Sequence, residues 1–205
     1  MVIGNTHWDE ETTGTGTGSS HRGVPFQAVL RPQGRRVTAY HVSEVLKALC
    51  DADAGLALFR WAKDVQGVTP DAHVYSSLFG LLGRLKNAEG LGGLEGEMRE
   101  DGCGENVITL QALAAAYSRA GKSEEALATL DEIEEKDDSL SPFSFGVRVD
   151  VLFRMGRYRD VIKTFHMMRA AGYAPDAFVY STVLTCYGRL GNIIGAELAF
   201  REMLS

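Results

Sequence analysis

The sequence predicts an all-α protein organised as an α-solenoid, with about four 35-residue helix-turn-helix units stacked behind a degenerate first unit. Three residue classes recur at a single 35-residue spacing. The arginines are Arg84, Arg119, Arg154 and Arg189. Nine positions before each arginine comes a start residue, namely Tyr75, Leu110, Phe145 or Tyr180. Fourteen positions after each arginine comes Met98, Ile133, Met168 or Met203. Because no insertion or deletion interrupts this step, the pattern indicates a repeat array.

Each unit is expected to contain a first and a second helix joined by a short turn. In the unit 107–141, Leu110, Leu113 and Tyr117 form an apolar stripe at helical spacing. Gly121 is expected to end the first helix in a left-handed conformation, and Ser123 to cap the second helix. One second helix is expected to be the weakest, because glycine costs about 1 kcal/mol relative to alanine inside a helix. Its glycines are Gly90, Gly92, Gly93 and Gly96.

The register divides the chain into six segments. Residues 1–36 include a Thr/Gly/Ser-rich stretch and are expected to be disordered or linker-like. Asp9, Glu10 and Glu11 make this segment unconvincing as an organellar targeting peptide, which is usually poor in acidic residues. The remaining segments are a degenerate first repeat or cap at 37–71, units one to three at 72–106, 107–141 and 142–176, and a truncated unit four at 177–205.

The composition is that of a folded protein, with 45% hydrophobic and 23% charged residues. No run of about 18 apolar residues occurs, so no membrane-spanning helix is expected. The three cysteines are widely spaced, which predicts a reducing compartment, no disulfide framework and no metal site. The net charge of −6 is unusual for a nucleic-acid binder. However, eight of the 27 carboxylates lie within Glu124–Asp138, a run typical of a solvated outer helix face.

Several motifs in the repeats resemble one known family. An Arg-x-Gly turn occurs at 119–121, 154–156 and 189–191, with Lys86 in place of the glycine in unit one. Glu-Glu-Ala-Leu stands at 124–127 and Glu-Met-Arg-Glu-Asp-Gly at 97–102. Unit three ends with the motif Met-Arg-x-x-Gly-x-x-Pro-Asp at 168–176. These features resemble plant pentatricopeptide repeat proteins of the plain, P-type class, strongly over 72–205 and weakly over 37–71. Tetratricopeptide repeats are the nearest competitor, but their period is about 34 residues.

The resemblance implies a right-handed superhelix whose first helices line a groove for single-stranded RNA, with one base read by each unit. It also implies a reading pair in each unit, formed by the residue after the start residue and the last residue of the unit. In unit one this pair is Ser76 with Asn106, which resembles the family's adenine-preferring combination. No base is assigned to the other positions, which are Gln111 with Ser141, Gly146 with Asp176, Ser181 alone, and His41 with Asp71 in the degenerate unit.

The resemblance also implies a supporting position two residues before each start residue, occupied by His73, Ile108, Phe143 and Phe178. These side chains are expected to support the base planes, although packing between helices is the alternative. The arginines are expected to contact RNA phosphates. Their alternative role is to complement helix C-termini. The last residues of the units have an alternative role as helix N-caps.

A sequence-selective RNA-binding protein is therefore the favoured hypothesis, with organellar RNA processing, stability, splicing or translation as its setting. A protein-protein interaction scaffold is the alternative. The resemblance implies a plastid or mitochondrial location. No catalytic motif, cofactor or small-molecule substrate is expected, and a protein partner besides single-stranded RNA remains open.

Overall fold

A computed structural model describes residues 37–104, 106–137 and 140–204, and these residues form ten α-helices and no β-strand. The segment 1–36, predicted to be disordered or linker-like, lies outside the described residues. In chain order the helices are α1 (Ala39–Ala48), α2 (Ala52–Asp64), α3 (Ala72–Arg84), α4 (Ala88–Glu100), α5 (Val107–Ala120), α6 (Ser123–Asp137), α7 (Pro142–Arg154), α8 (Tyr158–Ala170), α9 (Ala177–Arg189) and α10 (Ile193–Met203).

The helices pair along the chain and the pairs stack in sequence order. Each odd-numbered helix is the first helix of a pair and packs against the first helices of its neighbours, so that α3 contacts both α1 and α5. Each second helix packs on its own first helix, and α2, α4, α6 and α8 also pack on the first helix of the next pair. This arrangement confirms the all-α helical-repeat fold. Within the described ranges, no helix is both long and apolar enough to cross a membrane.

Four first helices, α3, α5, α7 and α9, begin at side-chain caps provided by the last residue of the preceding unit. The carboxylate of Asp71 accepts hydrogen bonds from the backbone N–H groups of His73 and Val74, at 3.0 and 2.9 Å. The equivalent caps on α5, α7 and α9 are Asn106, Ser141 and Asp176. Such a cap satisfies a backbone donor that has no partner inside the helix.

The turns between paired helices use a left-handed residue two positions after the arginine. Gly121, Gly156 and Gly191 have φ values of 81°, 72° and 69°, as the sequence predicted. In unit one Lys86 takes this conformation instead, with a φ of 55°. The expected cap at Ser123 is wrong, because α6 already begins at Ser123, and the carbonyl of Lys122 accepts from the backbone N–H of Ala126 at 3.0 Å.

The periodic apolar residues form one continuous core. All four start residues are buried. The residues fourteen positions after the arginines are also buried in units one to three, but Met203 on α10 is exposed. The same core includes large side chains from α2 and α3, among them Phe59, Leu78 and Phe79. Residues that are one repeat step apart therefore occupy equivalent positions between neighbouring helices.

Candidate nucleic-acid interface

The supporting residues lie exposed at the second position of each first helix. Ile108, Phe143 and Phe178 retain 55%, 51% and 48% of their surface exposed, and His73 is also exposed. A side chain that served only to pack between helices would be largely covered. Half-exposed aromatic rings at a regular step are suited to stacking on flat ligands.

Two clefts on the first helices bring three of these residues together with some of the reading positions and arginines. The predicted site residues that line neither cleft are Ile108, Asn106, Gln111, Ser141, Ser181 and Arg189. One cleft, of about 300 Å³, is lined by the rings of Phe143 and Phe178 together with Gly146, Asp176 and the arginines Arg119 and Arg154. A second cleft, of about 270 Å³, is lined by His73, Ser76 and Arg84 together with Lys47 of the preceding unit. Three classes of residue that are distant in sequence thus share one surface.

Gly146 makes room in the first of these clefts. A Cβ atom placed on Gly146 would have no neighbouring atom within 4 Å, so its missing side chain leaves open space between the two phenylalanine positions. The other first helices carry Ser76, Gln111 and Ser181 at the same repeat position.

The last residues of the units are both predicted reading residues and helix caps. Asn106 Oδ1 accepts from the backbone N–H of Ile108 at 2.9 Å, and Asp176 Oδ1 accepts from that of Val179 at 2.8 Å. The cap interpretation therefore holds for both. It occupies one side-chain oxygen, whereas the Asn106 amide nitrogen makes no hydrogen bond with another described residue. Capping and ligand contact are compatible at these positions.

The two members of a reading pair lie side by side in unit two. Gln111 Nε2 donates to Ser141 Oγ at 3.1 Å. The residue after the start residue and the last residue of that unit therefore meet at one point on the surface. In the degenerate unit the corresponding side chains serve helix caps. His41 Nδ1 lies 2.7 Å from Thr38 Oγ1, and Asp71 caps α3.

The serine hydroxyls donate their protons to backbone carbonyls. Ser76 Oγ donates to the carbonyl of Ala72 at 2.6 Å, and Ser181 Oγ to that of Phe178 at 2.9 Å. A hydroxyl that donates in this way presents its oxygen lone pairs to a ligand. Ser76 and Ser181 are thus hydrogen-bond acceptors on this surface.

The four arginines are not equivalent. Arg84 Nη2 lies 3.4 Å from the carbonyl oxygens of Lys47 and Leu49, and Arg154 Nη1 lies 3.0 Å from that of Ser118. These carbonyls lie at the C-terminal ends of α1 and α5, the first helices of the preceding units. Arg84 and Arg154 therefore complement the C-terminus of the neighbouring first helix. Arg119 and Arg189 are exposed, and neither forms a hydrogen bond or ion pair with a described residue.

Buried thiol and phenol groups in the described part of the chain have raised pKa values. No group of three or more His, Cys, Asp or Glu side chains is placed to hold a metal ion there. Burial raises the pKa of the Cys186 thiol to about 11, so this cysteine stays protonated at neutral pH. Tyr75 and Tyr117 donate to Asp101 and Glu95 at 2.6 Å, and their burial, reinforced by these hydrogen bonds, raises their pKa well above the ordinary value.

The surface geometry and the repeat step can be compared with known families. The PPR repeat model matches residues 108–138, 143–173 and 178–205, at starting points 35 residues apart. Residues 108–205 carry three pentatricopeptide repeats. The spacing is that of the plain class of uniform 35-residue units.

Similar pentatricopeptide repeat proteins come from plants. Pentatricopeptide repeat-containing protein 10 of Zea mays, named chloroplastic, is 30% identical over 180 residues, which cover 85% of this chain and 23% of that protein. A chloroplastic relative from Arabidopsis thaliana is 23% identical over 153 residues, which cover 74% of this chain and 30% of that protein. The chain therefore spans less than a third of the length of either relative.

Solved structures of the maize protein share the fold. The crystal structure of PPR10 from maize aligns with a TM-score of 0.59 at 25% identity, over 87% of this chain and 25% of that one. The structure of PPR10 in complex with an 18-nt psaJ RNA element aligns with a TM-score of 0.62 at 26% identity, over 84% of this chain and 29% of that one.

One charged residue of the pentatricopeptide repeats was missed by sequence reasoning. Arg148 on α7 is only 9% exposed and pairs with Asp131 and Glu134 of α6, at 2.6 and 2.9 Å. Leu78, Leu113 and Val183 occupy its position in the other units, and all three are buried. Comparing residues at the 35-residue step would have revealed this arginine, because it interrupts a column of core aliphatic residues.

Proposed function

We propose that this chain binds single-stranded RNA along the surface formed by its first helices. The observation that carries the proposal is that three of the four supporting residues share two clefts on that surface with three reading residues and three of the arginines. Aromatic faces stack on bases and cations attract phosphates, so the surface offers both kinds of contact that a single strand requires. The structural likeness to a pentatricopeptide repeat protein in complex with RNA supports the same function.

Each unit is proposed to contact one base. The reading positions are Ser76 with Asn106, Gln111 with Ser141, Gly146 with Asp176, and Ser181. The supporting positions are His73, Ile108, Phe143 and Phe178. The phosphate contacts come from members of the arginine ladder, which consists of Arg84, Arg119, Arg154 and Arg189. The chain acts as a binding protein without catalytic activity, and the chloroplastic names of its relatives favour a role in plastid RNA metabolism.

Unit one is proposed to prefer adenine. The Watson–Crick edge of adenine carries one donor, the N6 amino group, and one acceptor, the N1 nitrogen. Ser76 Oγ presents lone pairs, because its proton is donated to the carbonyl of Ala72. The Asn106 amide nitrogen is a donor, because the cap uses Oδ1. The two side chains therefore complement adenine in hydrogen-bonding sense.

A direct test changes the base preference of unit one from adenine to guanine. In the variant Ser76→Thr/Asn106→Asp, the side chain at position 106 becomes acceptor-only, which matches the N1–H and N2–H donors of guanine. Aspartate caps a helix as well as asparagine does, so α5 should remain intact. We expect preference to move from A to G at one RNA position, by about 1–3 kcal/mol, in fluorescence anisotropy titrations.

Two controls make this test decisive. Arg159→Lys, a conservative change at an exposed position of α8, a second helix, should leave the preference for A unchanged. An acidic peptide of similar length to the RNA should not bind. Equal binding of RNA and peptide, or binding without salt dependence, would favour a protein-interaction scaffold over RNA recognition.

A further inference from the structure

Arg154 differs from the other ladder arginines because it is bound by a carboxylate of its own helix. Its Nη2 lies 2.6 Å from Asp150 Oδ2 and its Nε lies 3.0 Å from Asp150 Oδ1, so the guanidinium and the carboxylate meet through two contacts. Paired contacts of this kind are stronger than single hydrogen bonds and fix the orientation of the arginine. Asp150 also lines the 300 Å³ cleft between Phe143 and Phe178.

A hydroxyl and a carbonyl from the preceding unit complete the arrangement. Ser118 Oγ donates to Asp150 Oδ2 at 2.9 Å, and the carbonyl of Ser118 accepts from Arg154 Nη1 at 3.0 Å. Ser118, Asp150 and Arg154 therefore form a closed ring that joins α5 to α7. The Asp150 side chain is 25% exposed and that of Arg154 is 49% exposed, so the ion pair lies at the surface of the cleft.

The other units lack this acid. The residues at the repeat position of Asp150 are Gly80, Ala115 and Thr185, none of which carries a charge. Arg119 and Arg189 have no partner among the described residues. Arg84 meets only two neutral carbonyls at 3.4 Å, beyond the usual distance for an N–H···O hydrogen bond.

From these contacts we infer that Asp150 withdraws Arg154 from the phosphate-binding ladder. A phosphate that approaches Arg154 also approaches the Asp150 carboxylate, and two negative charges at such close range repel each other. The RNA backbone is therefore contacted by Arg84, Arg119 and Arg189, while Arg154 serves as a clamp between units two and three. This inference rests on the proposed RNA-binding function.

Salt dependence distinguishes the two kinds of arginine. Affinity falls as salt rises, and each phosphate contact to a single strand adds about 0.7 to the magnitude of the slope of log affinity against log salt concentration. The probe is a fluorescein-labelled oligo(A) RNA, titrated by anisotropy over a series of potassium chloride concentrations. Arg119→Ala should lower the slope by about 0.7. Arg154→Ala should leave the slope unchanged and lower the melting temperature, because it opens the clamp.

Removal of the acid should restore the missing contact. Asp150→Asn keeps the shape of the side chain and its acceptor for Ser118, but releases the charge of Arg154, so the slope should rise by about 0.7. The double variant Asp150→Asn/Arg154→Ala has the wild-type net charge and should return to the wild-type slope. Glu135→Gln removes one exposed carboxylate from α6, a second helix, and controls for the change in net charge.

The outcomes separate this inference from the proposed function. If the wild-type protein shows no salt-dependent RNA binding, the function itself fails. If the wild-type protein binds but Arg154→Ala lowers the slope as much as Arg119→Ala does, the inference is wrong. It is also wrong if Asp150→Asn has the wild-type slope, or if the double variant keeps the raised slope of Asp150→Asn.

Discussion

At the residue scale, Lys86 holds a backbone conformation that glycine holds in three later turns. Its φ of 55° lies in the left-handed region, which costs a residue with a Cβ atom about 1–2 kcal/mol. Lys86 is also exposed, so little packing compensates for this cost. The energy is stored in the turn between α3 and α4.

Lys86→Gly should therefore stabilise the protein. We expect the free energy of unfolding to rise by about 1 kcal/mol and the melting temperature by about 2–4 °C. Lys86→Ala is the matched control, since it removes the same charge but keeps the Cβ atom, and it should leave the melting temperature unchanged. Similar gains in both variants would mean that the charge, and not the conformation, destabilises this turn.

The sequence predicts the roles of residues that act through the local backbone conformation. It does not predict roles that depend on a contact with a distant residue. The left-handed glycines and the cap positions follow from local geometry, so Gly121 and Asn106 were identified from the repeat alone. The environment of Arg154 depends on Asp150 and on a carbonyl of another unit. The four arginines look equivalent in the sequence because they occupy the same repeat position, and this position does not reveal which side chains surround each of them.

At the element scale, α4 forms one uninterrupted helix from Ala88 to Glu100 despite four glycines. At Gly92, Gly93 and Gly96 an added Cβ atom would meet nothing within 4 Å, so no packing contact requires glycine there. The buried residues Leu91, Leu94 and Met98 hold the helix on the core. Tertiary packing thus overrides a poor intrinsic propensity, as it often does. The predicted weakness of this helix stays a prediction.

Alanine at these three glycines should strengthen α4. Each substitution is expected to add about 0.5–1 kcal/mol of stability, with slower hydrogen exchange of the α4 backbone amides. Gly90→Ala is the informative comparison, because its Cβ atom would lie 3.1–3.3 Å from the Asn87 side chain that caps the helix. We expect a smaller gain there, or a loss. Unchanged exchange rates in the triple variant would show that propensity does not limit this helix.

At the scale of the whole molecule, Asp101 joins the first helix pair to the repeats that follow. Its Oδ2 atom lies 2.6 Å from Lys63 Nζ on α2 and 2.6 Å from the hydroxyl of Tyr75 on α3. Burial alone would raise the pKa of Asp101, but the hydrogen bonds from Lys63 and Tyr75 and the charge of Lys63 outweigh it and hold this pKa below its usual value.

A lowered carboxyl pKa gives a stability that depends on pH in a defined direction. The contribution of Asp101 is complete above the pKa of an aspartate in the unfolded chain, about 4, and is lost as the pH falls through the lower pKa of the folded state. Asp101→Asn should therefore reduce the free energy of unfolding by about 1–3 kcal/mol at neutral pH. As the pH falls through the lowered folded-state pKa of Asp101, the variant and the wild type should converge.

Glu100→Gln provides the control for this titration, because Glu100 is exposed and has no partner among the described residues. Chemical denaturation at a series of pH values measures the effect. A constant difference between Asp101→Asn and the wild type down to acid pH would indicate that the carboxylate charge does not contribute.

The overall fold follows from the sequence to a greater extent than the candidate interface does. A constant repeat step and buried start residues such as Tyr75 and Phe145 determine how the helix pairs stack. The interface requires each exposed side chain to be placed relative to its neighbours. Gln111 and Ser141 are 30 positions apart in the chain, and only the structure shows that they touch.

The buried Arg148 distinguishes the correct neighbour of unit three from otherwise similar units. It pairs with Asp131 and Glu134 of unit two. At the repeat position of Asp131 the other units carry Gly96, His166 and Arg201, and at that of Glu134 they carry Arg99, Arg169 and Leu204. A chain that paired unit three with the second helix of unit one or unit four during folding would bury a cation without an anion, which is strongly unfavourable. Misassembly is a characteristic failure of repeat proteins. Arg148 makes a wrong pairing of units energetically costly, whereas a leucine at this position would pack about equally well against any unit.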